Sequence, residues 1–540
     1  MARSRENAVA ASLTARRGRH LAGGDRRPYS AAMASERRKS EFVSCYFREG
    51  SGRDAASIID ERTWADLDMD EVFHAVDRTR SSVGQACLYA MLRLPLGEAG
   101  AQAERAARIE AFRRDERGRA RAGAVLRRLG IQHDGEVFQF LSSQRARISD
   151  RRRWVYFGLS LLAALAIPAA VFLGFAGIAL LALVLIVNLV LHYRFKAVVS
   201  VESPSYEFLH RLLRAADRLG KLSLDRSQAQ LDELGRLAGS MRGLRRKTAL
   251  LATPSGFSGD ILSLLLEYIR QFFLQEVTTY FFVHNEIIRR MDEIVRLYSL
   301  VGEIDALAGV ASLRQERRDL TVAEIVDGGL RIEAEDMVHP LLARPVPNAI
   351  RMEGRGVIVT GSNMSGKSTF LRTLGVNQVL AMTICVAFAR RYRVSPLLTM
   401  SSITNRDSLL DAESHYLVEA RRLLALMAAG RGGHPALLII DEILSGTNSE
   451  ERIEASIRIL RHFAGLQCIA VAATHDRPIA AALDGAYVNI HFTHRIDGEG
   501  LEFDYRLHEG IVEAGNAFRL LRLLGYPQEI LDDPSAAGGV

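Results

Sequence analysis

An uncharged run of 38 residues constrains the folding of this chain more than any other feature. Positions 154–191 contain no Asp, Glu, Lys, Arg or His, and one membrane-spanning helix needs only about 20 apolar residues. Gly174 and Gly177 interrupt the run near its middle. The pattern therefore predicts two apolar helices, Trp154–Phe172 and Ile178–Leu191, joined by a short turn. The second is short, and two alternatives stay open: it extends through Tyr193, or it begins earlier, within the turn.

Positive charges flank this run at both ends. Three arginines precede it, and Arg194 and Lys196 follow it. Because Lys and Arg are enriched on the cytoplasmic side of membrane segments, the flanks favour a transmembrane helical hairpin at 151–196. The hairpin would then cross the cytoplasmic membrane, and both termini and the C-terminal α/β domain would lie in the cytoplasm. The alternative is a helical hairpin buried in a soluble core, although uncharged runs of this length are rare in soluble proteins.

The net charge of +7 comes entirely from the N-terminal tail. Residues 1–40 contain ten basic and three acidic side chains, so the remaining 500 residues contain 60 of each sign. The body of the protein is therefore neutral overall, and its charge alone does not indicate a nucleic-acid surface. The four cysteines form no C-x-x-C pair, which is typical of a protein in a reducing compartment.

With 540 residues, the chain is too long for one ordinary domain. Apolar residues recur three and four positions apart on both sides of the uncharged run, which predicts helices, including a long lever helix within 261–307. From about residue 330, short β-rich runs alternate with helical segments, as in a parallel α/β domain. We expect a disordered basic tail (1–53), a helical core in two parts (54–150 and 197–329) separated by the hairpin (151–196), and a C-terminal α/β domain (330–540).

The α/β part contains a phosphate-binding pattern. Residues 361–369 fit G-x-x-x-x-G-K-[ST] and follow the apolar strand 356–360. In such a loop the backbone N–H groups and the following helix N-terminus face phosphate oxygens. Lys367 would reach the β- and γ-phosphates of a nucleotide, and the Ser368 hydroxyl would bind Mg²⁺. The proposed nucleotide-binding residues are Gly361, Ser362, Asn363, Met364, Ser365, Gly366, Lys367, Ser368 and Thr369.

Lys367 is the only lysine after residue 247 in a chain with 65 arginines and five lysines. A chance match to the loop pattern would not explain this isolated lysine or the strand that precedes it. The loop is therefore predicted to bind a nucleoside triphosphate.

Two further apolar strands end in polar side chains. Asp441 and Glu442 follow the strand 437–440, and His475 follows the strand 468–473. We expect Asp441 to join the Mg²⁺ site, Glu442 to orient or deprotonate the attacking water, and His475 to contact the γ-phosphate. Taken alone, His475 is equally well explained as an incidental loop residue. Together, the three strand ends favour a nucleotide hydrolase.

These residues resemble the MutS mismatch-repair ATPase family. TGSNMSGKSTFLRT at 360–373 looks like the family's phosphate-binding loop, DEILSGT at 441–447 looks like its Asp-Glu strand, and ATHD at 473–476 is similar to its switch segment. The segment from Asp407 through Ser414, together with Leu417-Val418-Glu419, resembles the loop that completes the partner subunit's nucleotide site in this family. The resemblance implies that Ser414 acts in trans, that the protein is a homodimer, that ATP and Mg²⁺ are bound, and that DNA is a partner.

The departures from the family pattern are as informative as the matches. The resemblance covers roughly residues 55–150 and 200–530, and only about 54 residues precede it, which is too few for a mismatch-reading domain. Phe47 and Glu49 fit the family's short Phe-x-Glu probe, but no domain surrounds them, and we interpret this match as chance. The expectation is a shortened, membrane-anchored member without mismatch recognition.

Three functions remain open from the sequence. The first is a membrane-anchored ATPase that associates with DNA, which follows from the family resemblance. The second is an ATP-driven membrane-remodelling or transport-associated ATPase that does not bind DNA, which follows from the hairpin. The third is a non-catalytic, nucleotide-gated scaffold, which the intact Asp441-Glu442 pair disfavours.

Overall fold

The computed structural model describes residues 58–131, 150–252, 268–362, 365–403, 415–444, 448–497, 500–511 and 526–527. They all belong to one compact unit, Val43–Val540. The predicted disordered tail lies outside these residues. The described residues before position 317 are mainly helical, with α1 (Glu61–Asp66), α2 (Met69–Val76), α3 (Ser82–Arg93), α4 (Ala99–Arg114), α5 (Glu116–Leu129), α6 (Asp150–Phe172), α7 (Phe175–Leu219), α8 (Gln228–Ser240), α9 (Arg242–Ala252), α10 (Gln275–Arg289) and α11 (Met291–Glu316).

Strands and helices alternate in the C-terminal part, so the predicted combination of a helical part with an α/β part is confirmed. The elements are β1 (Leu320–Val322), β2 (Glu324–Ile325), β3 (Arg331–Met337), β4 (Asn348–Glu353), β5 (Gly356–Thr360), α12 (Lys367–Ile384), β6 (Val386–Phe388), β7 (Arg391–Val394), β8 (Leu398–Ile403), α13 (His415–Arg431), β9 (Ala436–Asp441), α14 (Ser449–Ala464), β10 (Cys468–Thr474), α15 (Arg477–Ala482), β11 (Tyr487–Asp497) and β12 (Gly500–Glu509). The domain boundaries given above stay predictions.

The main sheet has six strands in the order β12-β11-β5-β10-β9-β8. β11, β5, β10, β9 and β8 are parallel to one another, and β12 pairs antiparallel with β11 at the edge. β5 and β10 are buried along their whole length, as expected for central parallel strands covered on both faces. The remaining strands form two smaller sheets, with the strand orders β2-β7-β3-β4 and β1-β6.

The uncharged run forms the helical pair α6 and α7. The second helix begins at Phe175, earlier than Ile178 and within the predicted turn, because Leu173 and Gly174 form the turn and Gly174 supplies its positive φ of 55°. Gly177 is helical, and a Cβ added there would lie 2.0 Å from the Ala169 carbonyl oxygen. This glycine therefore allows close contact between the two helices instead of breaking one of them. α7 continues for 45 residues, or about 68 Å at 1.5 Å per residue, far beyond the uncharged run.

The apolar faces of α6 and α7 point outward. In the most apolar 18-residue stretch of each helix, only 11% (within Trp154–Phe172) and 22% (within Phe175–Arg194) is buried. Phe172 and Phe175, at the turn, are 85% and 88% exposed. A hairpin in a soluble core would bury such side chains, so these exposures disfavour that alternative. Both helices are long and apolar enough to cross a membrane.

The predicted lever stretch, 261–307, is not one continuous helix. Residues 261–267 lie outside the described part, and the backbone leaves the helical conformation at Leu274 (φ 48°) and at Arg290 (φ −110°). Leu274 is fully buried, so its packing offsets the strain of its left-handed conformation. The stretch therefore consists mainly of α10 and α11, and the longest helix is α7 instead.

The short helix α1 connects the helical part to the α/β part. The buried Asp66 carboxylate accepts hydrogen bonds from Ser401 Oγ (2.8 Å) and Ile403 N (2.9 Å) at the end of β8. Arg372 Nε on α12 donates to the Asp66 carbonyl oxygen (2.9 Å), and Arg422 on α13 donates to Asp60 (3.1 Å). Burial raises the pKa of Asp66, although the hydrogen bonds from Ser401 and Ile403 lower it in part. These hydrogen bonds fasten α1 to β8, α12 and α13.

A second buried carboxylate, Asp305, joins α11 to the start of α3. It accepts hydrogen bonds from Arg80 N (3.0 Å) and Ser81 Oγ (2.6 Å). Burial raises the pKa of Asp305 to about 7. The folded protein therefore holds the proton of this carboxyl more tightly than the unfolded chain does.

This pKa shift predicts a pH-dependent stability. Because the unfolded chain releases the Asp305 proton at lower pH, the free energy of unfolding should fall as the pH rises from about 5 to about 7, by up to about 1.4 kcal/mol per pH unit. Urea denaturation of the wild type and of Asp305→Asn, at several pH values, measures the difference. The exposed Asp292→Asn on the same helix is the matched control. Identical pH profiles for the wild type and Asp305→Asn would contradict the account.

Candidate functional site

The loop between β5 and α12 is a tight turn built on two glycines. Gly361 and Gly366 have φ values of 143° and 102°, which favour glycine. A Cβ added at Gly361 would lie 2.8 Å from Ser365 Oγ and 2.9 Å from the Phe492 carbonyl oxygen. Ser365 Oγ donates a hydrogen bond to the Ser362 carbonyl oxygen (2.7 Å). Asn363 and Met364 lie outside the described residues.

The ammonium group of Lys367, the first residue of α12, lies inside this loop. Its side chain donates from Nζ to the carbonyl oxygens of Gly361 (2.8 Å) and Ser362 (3.0 Å). The residue is 3% exposed, and burial lowers its pKa, while nearby Asp441 and Glu442 act in the opposite direction. A buried ammonium group beside a helix N-terminus favours an anion at this position.

Asp441 at the end of β9 lies next to the start of α12. The Ser368 hydroxyl donates a hydrogen bond to its carboxylate, which lowers the pKa of Asp441, although burial raises it by more. A hydroxyl and a carboxylate are hard oxygen ligands of the kind that Mg²⁺ prefers. Within the described ranges no three His, Cys, Asp or Glu side chains gather into a metal cluster. The donor set fits Mg²⁺, which usually takes one or two protein oxygens together with substrate phosphates.

Glu442 and His475 form a pair that the sequence did not reveal. His475 Nδ1 lies 3.2 Å from Glu442 Oε1. Glu442 has a left-handed backbone (φ 58°), and its N–H donates to the Ala473 carbonyl oxygen (3.0 Å). This bond between adjacent strand ends places the two side chains together. Their catalytic roles stay predictions, and Ser414 lies outside the described residues.

Two more contacts anchor the segments after these strands. The N–H of Leu444 donates to the Glu419 carboxylate on α13, and the Arg452 guanidinium on α14 contacts both carboxylate oxygens of Asp476, at 3.1 and 3.2 Å. These bonds hold the turns after Glu442 and His475 against neighbouring helices. They were not predicted, because each joins residues more than 20 positions apart.

A cavity of about 250 Å³ lies directly beside the loop, and sequence reasoning missed it. Its walls come from distant segments: the loop and α12, the connection between β3 and β4, and the β11–β12 pair. Its lining includes Val338, His339, Leu342, Arg344, Gly366, Thr369, Phe370, Phe492 and Tyr505. Burial lowers the pKa of His339, which favours its neutral ring. The one signal in the sequence is His-Pro-Leu-Leu at 339–342, which is similar to a segment of the family that the loop resembles.

The geometry at Gly361 predicts that a side chain there lowers the free energy of unfolding. Gly361→Ala should lower the free energy of unfolding by about 1–3 kcal/mol, because alanine meets both a disfavoured φ and two close oxygen atoms. Gly433→Ala is the matched control, since nothing lies within 4 Å of a Cβ added at Gly433. Urea denaturation of both variants measures the effect. Equal stability of the two variants would show that the turn does not need glycine.

Comparisons with known proteins point to one family. Residues 357–537 match the family described as MutS domain V. Similar proteins include "DNA mismatch repair protein MutS 2" of Halobacterium salinarum, 26% identical over 272 residues, and "Endonuclease MutS2" of Thermus thermophilus, 27% identical over 257 residues. A third is "DNA mismatch repair protein MutS" of Natronomonas pharaonis, 27% identical over 264 residues.

These matches involve just under half of this chain: 47% for the Halobacterium protein and 46% for each of the other two. They cover 30%, 30% and 34% of the Halobacterium, Natronomonas and Thermus proteins, respectively, so the chain spans about a third of each relative. The family match begins in β5 and includes the loop, Asp441, Glu442 and His475. The resemblance inferred from the three strand ends is thereby confirmed: residues 357–537 match MutS domain V, and the C-terminal half of this chain is similar to MutS and MutS2 proteins.

Proposed function

We propose that this protein is an ATPase that binds and hydrolyses ATP at the edge of the main sheet. The observation that carries the proposal is the buried Lys367 ammonium group, held in a glycine turn at a helix N-terminus. This arrangement suits the phosphates of a nucleotide. The MutS family match over the same residues supports it.

Different groups around the loop have different proposed roles in binding and hydrolysing ATP. The backbone N–H groups of the loop and Lys367 bind the phosphates, and Ser368 and Asp441 hold Mg²⁺. When bound, Mg²⁺ neutralises charge on the phosphates. Glu442 orients the attacking water and accepts its proton, and His475, 3.2 Å from Glu442, responds to the γ-phosphate. The adjacent cavity takes the base, since it opens beside Gly366 and Thr369.

We further propose that two copies complete each other's sites. Ile403 at the end of β8 pairs in register with Asp441, so the segment that contains Ser414 begins at the same edge of the sheet as the catalytic carboxylates. That edge is where a second subunit would meet the nucleotide. The family resemblance supports Ser414 as the residue that the partner contributes.

Attachment to the cytoplasmic membrane through residues 154–191 is also part of the proposal. The support is the exposure of the apolar side chains on α6 and α7, which would be unfavourable in water. Basic residues at both ends favour a hairpin whose ends lie in the cytoplasm. ATP hydrolysis at the sheet edge would then move the helical part through the contacts of α1.

DNA is the proposed partner, because relatives that match the C-terminal half are named as DNA mismatch repair proteins. The second candidate, favoured by the exposed hairpin, is a membrane-remodelling or transport-associated ATPase that does not bind DNA. The two differ in whether duplex DNA or lipid alters ATP turnover.

Two variants separate nucleotide binding from hydrolysis. Lys367→Ala should lower ATP turnover by about 100-fold or more and weaken ATP binding, without unfolding the protein. Glu442→Gln should lower turnover but retain binding, because it leaves the phosphate contacts intact. Steady-state ATPase rates and equilibrium ATP binding measure the two effects, with the exposed Lys221→Ala as the control. Wild-type turnover in Lys367→Ala would refute the site.

The partner is tested with the full-length protein in phosphatidylcholine and phosphatidylglycerol vesicles. We expect duplex DNA to bind with an affinity that falls as salt rises, to alter ATP turnover, and to bind equally with and without a mismatch. Turnover that depends on lipid but not on DNA, with no DNA binding at low salt, would favour the membrane-remodelling alternative.

A further inference from the structure

We infer that residues 268–274 form a third membrane-embedded element, packed against the hairpin of α6 and α7. This inference rests on the proposed membrane attachment of that hairpin. The segment is Tyr-Ile-Arg-Gln-Phe-Phe-Leu. It is helical to Phe272, bends at Phe273 and Leu274, and leads into α10.

Hydrogen bonds at the bend carry the inference. Because the chain leaves its helix at this point, the last carbonyl groups lose their partners within the helix. Asn188 Nδ2 donates to the Phe272 carbonyl oxygen (2.8 Å), and Ser160 Oγ donates to the Phe273 carbonyl oxygen (2.7 Å). Backbone of this kind is tolerated at membrane depth where neighbouring helices supply such partners.

Ser160 and Asn188 are special within the uncharged run. Apart from Trp154 and Tyr156 near its start, they are the only residues in 154–191 with a hydrogen-bonding side chain. Both bond to the same segment, and Asn188 is fully buried. Polar side chains in membrane helices usually hydrogen-bond to another membrane element. The two polar side chains of the run therefore lie where the carbonyl groups of this segment require hydrogen-bond donors.

The two donors lie at similar depths. Ser160 is seven residues from Arg153, and Asn188 is six residues from Arg194. At 1.5 Å per residue, they lie about 10 Å and about 9 Å inside the charged ends of the hairpin, and the hydrocarbon core is about 30 Å thick. The bend at Phe273 is therefore well inside the layer that the hairpin would cross.

The surface around the segment is apolar as well. A cavity of about 450 Å³ separates it from the hairpin. Its walls include Ile167 and Leu185 from the hairpin and Tyr268, Ile269 and Phe272 from the segment. Tyr268 and Ile269 are 60% and 43% exposed and continue the apolar face of the hairpin, which favours lipid over water. The one charged side chain in the segment, Arg270, is long enough to extend toward the interface.

The test measures lipid exposure directly on the full-length protein. A nitroxide is attached to a single cysteine at each of four exposed positions, in vesicles of phosphatidylcholine and phosphatidylglycerol. The background variant is Cys45→Ser, since Cys87, Cys385 and Cys468 are buried. Tyr268→Cys and Ile269→Cys probe the segment, Leu165→Cys on α6 is the lipid reference, and Arg236→Cys on α8 is the water reference. The readout is the ratio of collisions with oxygen to collisions with a water-soluble nickel complex.

We expect the ratios at positions 268 and 269 to match that at 165 and to exceed that at 236. Water-like ratios at both probe positions, with a lipid-like ratio at 165, would overturn the third element and leave the hairpin in place. A water-like ratio at 165 would instead remove the membrane attachment, and this inference with it. The two failures are therefore distinguishable.

Discussion

Parallel pairing of β5 with β10, and of β10 with β9, is the constraint on which the candidate site depends. The register sets Thr360 opposite Thr474, and Ala473 opposite Asp441. Because parallel strands end at the same edge, the loop, the carboxylates and the histidine meet there although they are separated by up to 114 positions. The fully buried apolar strands fix this register, since a slip would expose their side chains.

The contacts of α1 extend this arrangement into the helical part. Asp66 binds the end of β8 and Arg372 on α12, and Arg422, near the middle of α13, binds Asp60 at the N-terminus of α1. Arg372 is five residues from Lys367 in α12, and Ile403 is the last residue of β8. The helical part is therefore fastened to β8, α12 and α13 through α1, so a movement of those elements on nucleotide binding, as proposed above, would act on α1 directly.

The sequence predicted those parts of the structure that depend on local pattern. The glycine loop, the strands that end at Asp441 and Thr474, and the two apolar helices were each visible within about 20 residues. The pairing of Glu442 with His475 and the cavity beside Gly366 were not, because they arise from contacts between distant segments. The role of Gly177 was misjudged for a related reason: a glycine that permits close helix packing looks, in sequence, like one that breaks a helix.

The most direct test is a structure of the protein with Mg²⁺ and a non-hydrolysable ATP analogue. The account predicts that Lys367 Nζ moves from the carbonyl oxygens of Gly361 and Ser362 to the phosphates, with Mg²⁺ at Ser368 and Asp441 and the base in the cavity near Tyr505. An analogue bound elsewhere, with Lys367 still on its two carbonyl oxygens, would contradict the account.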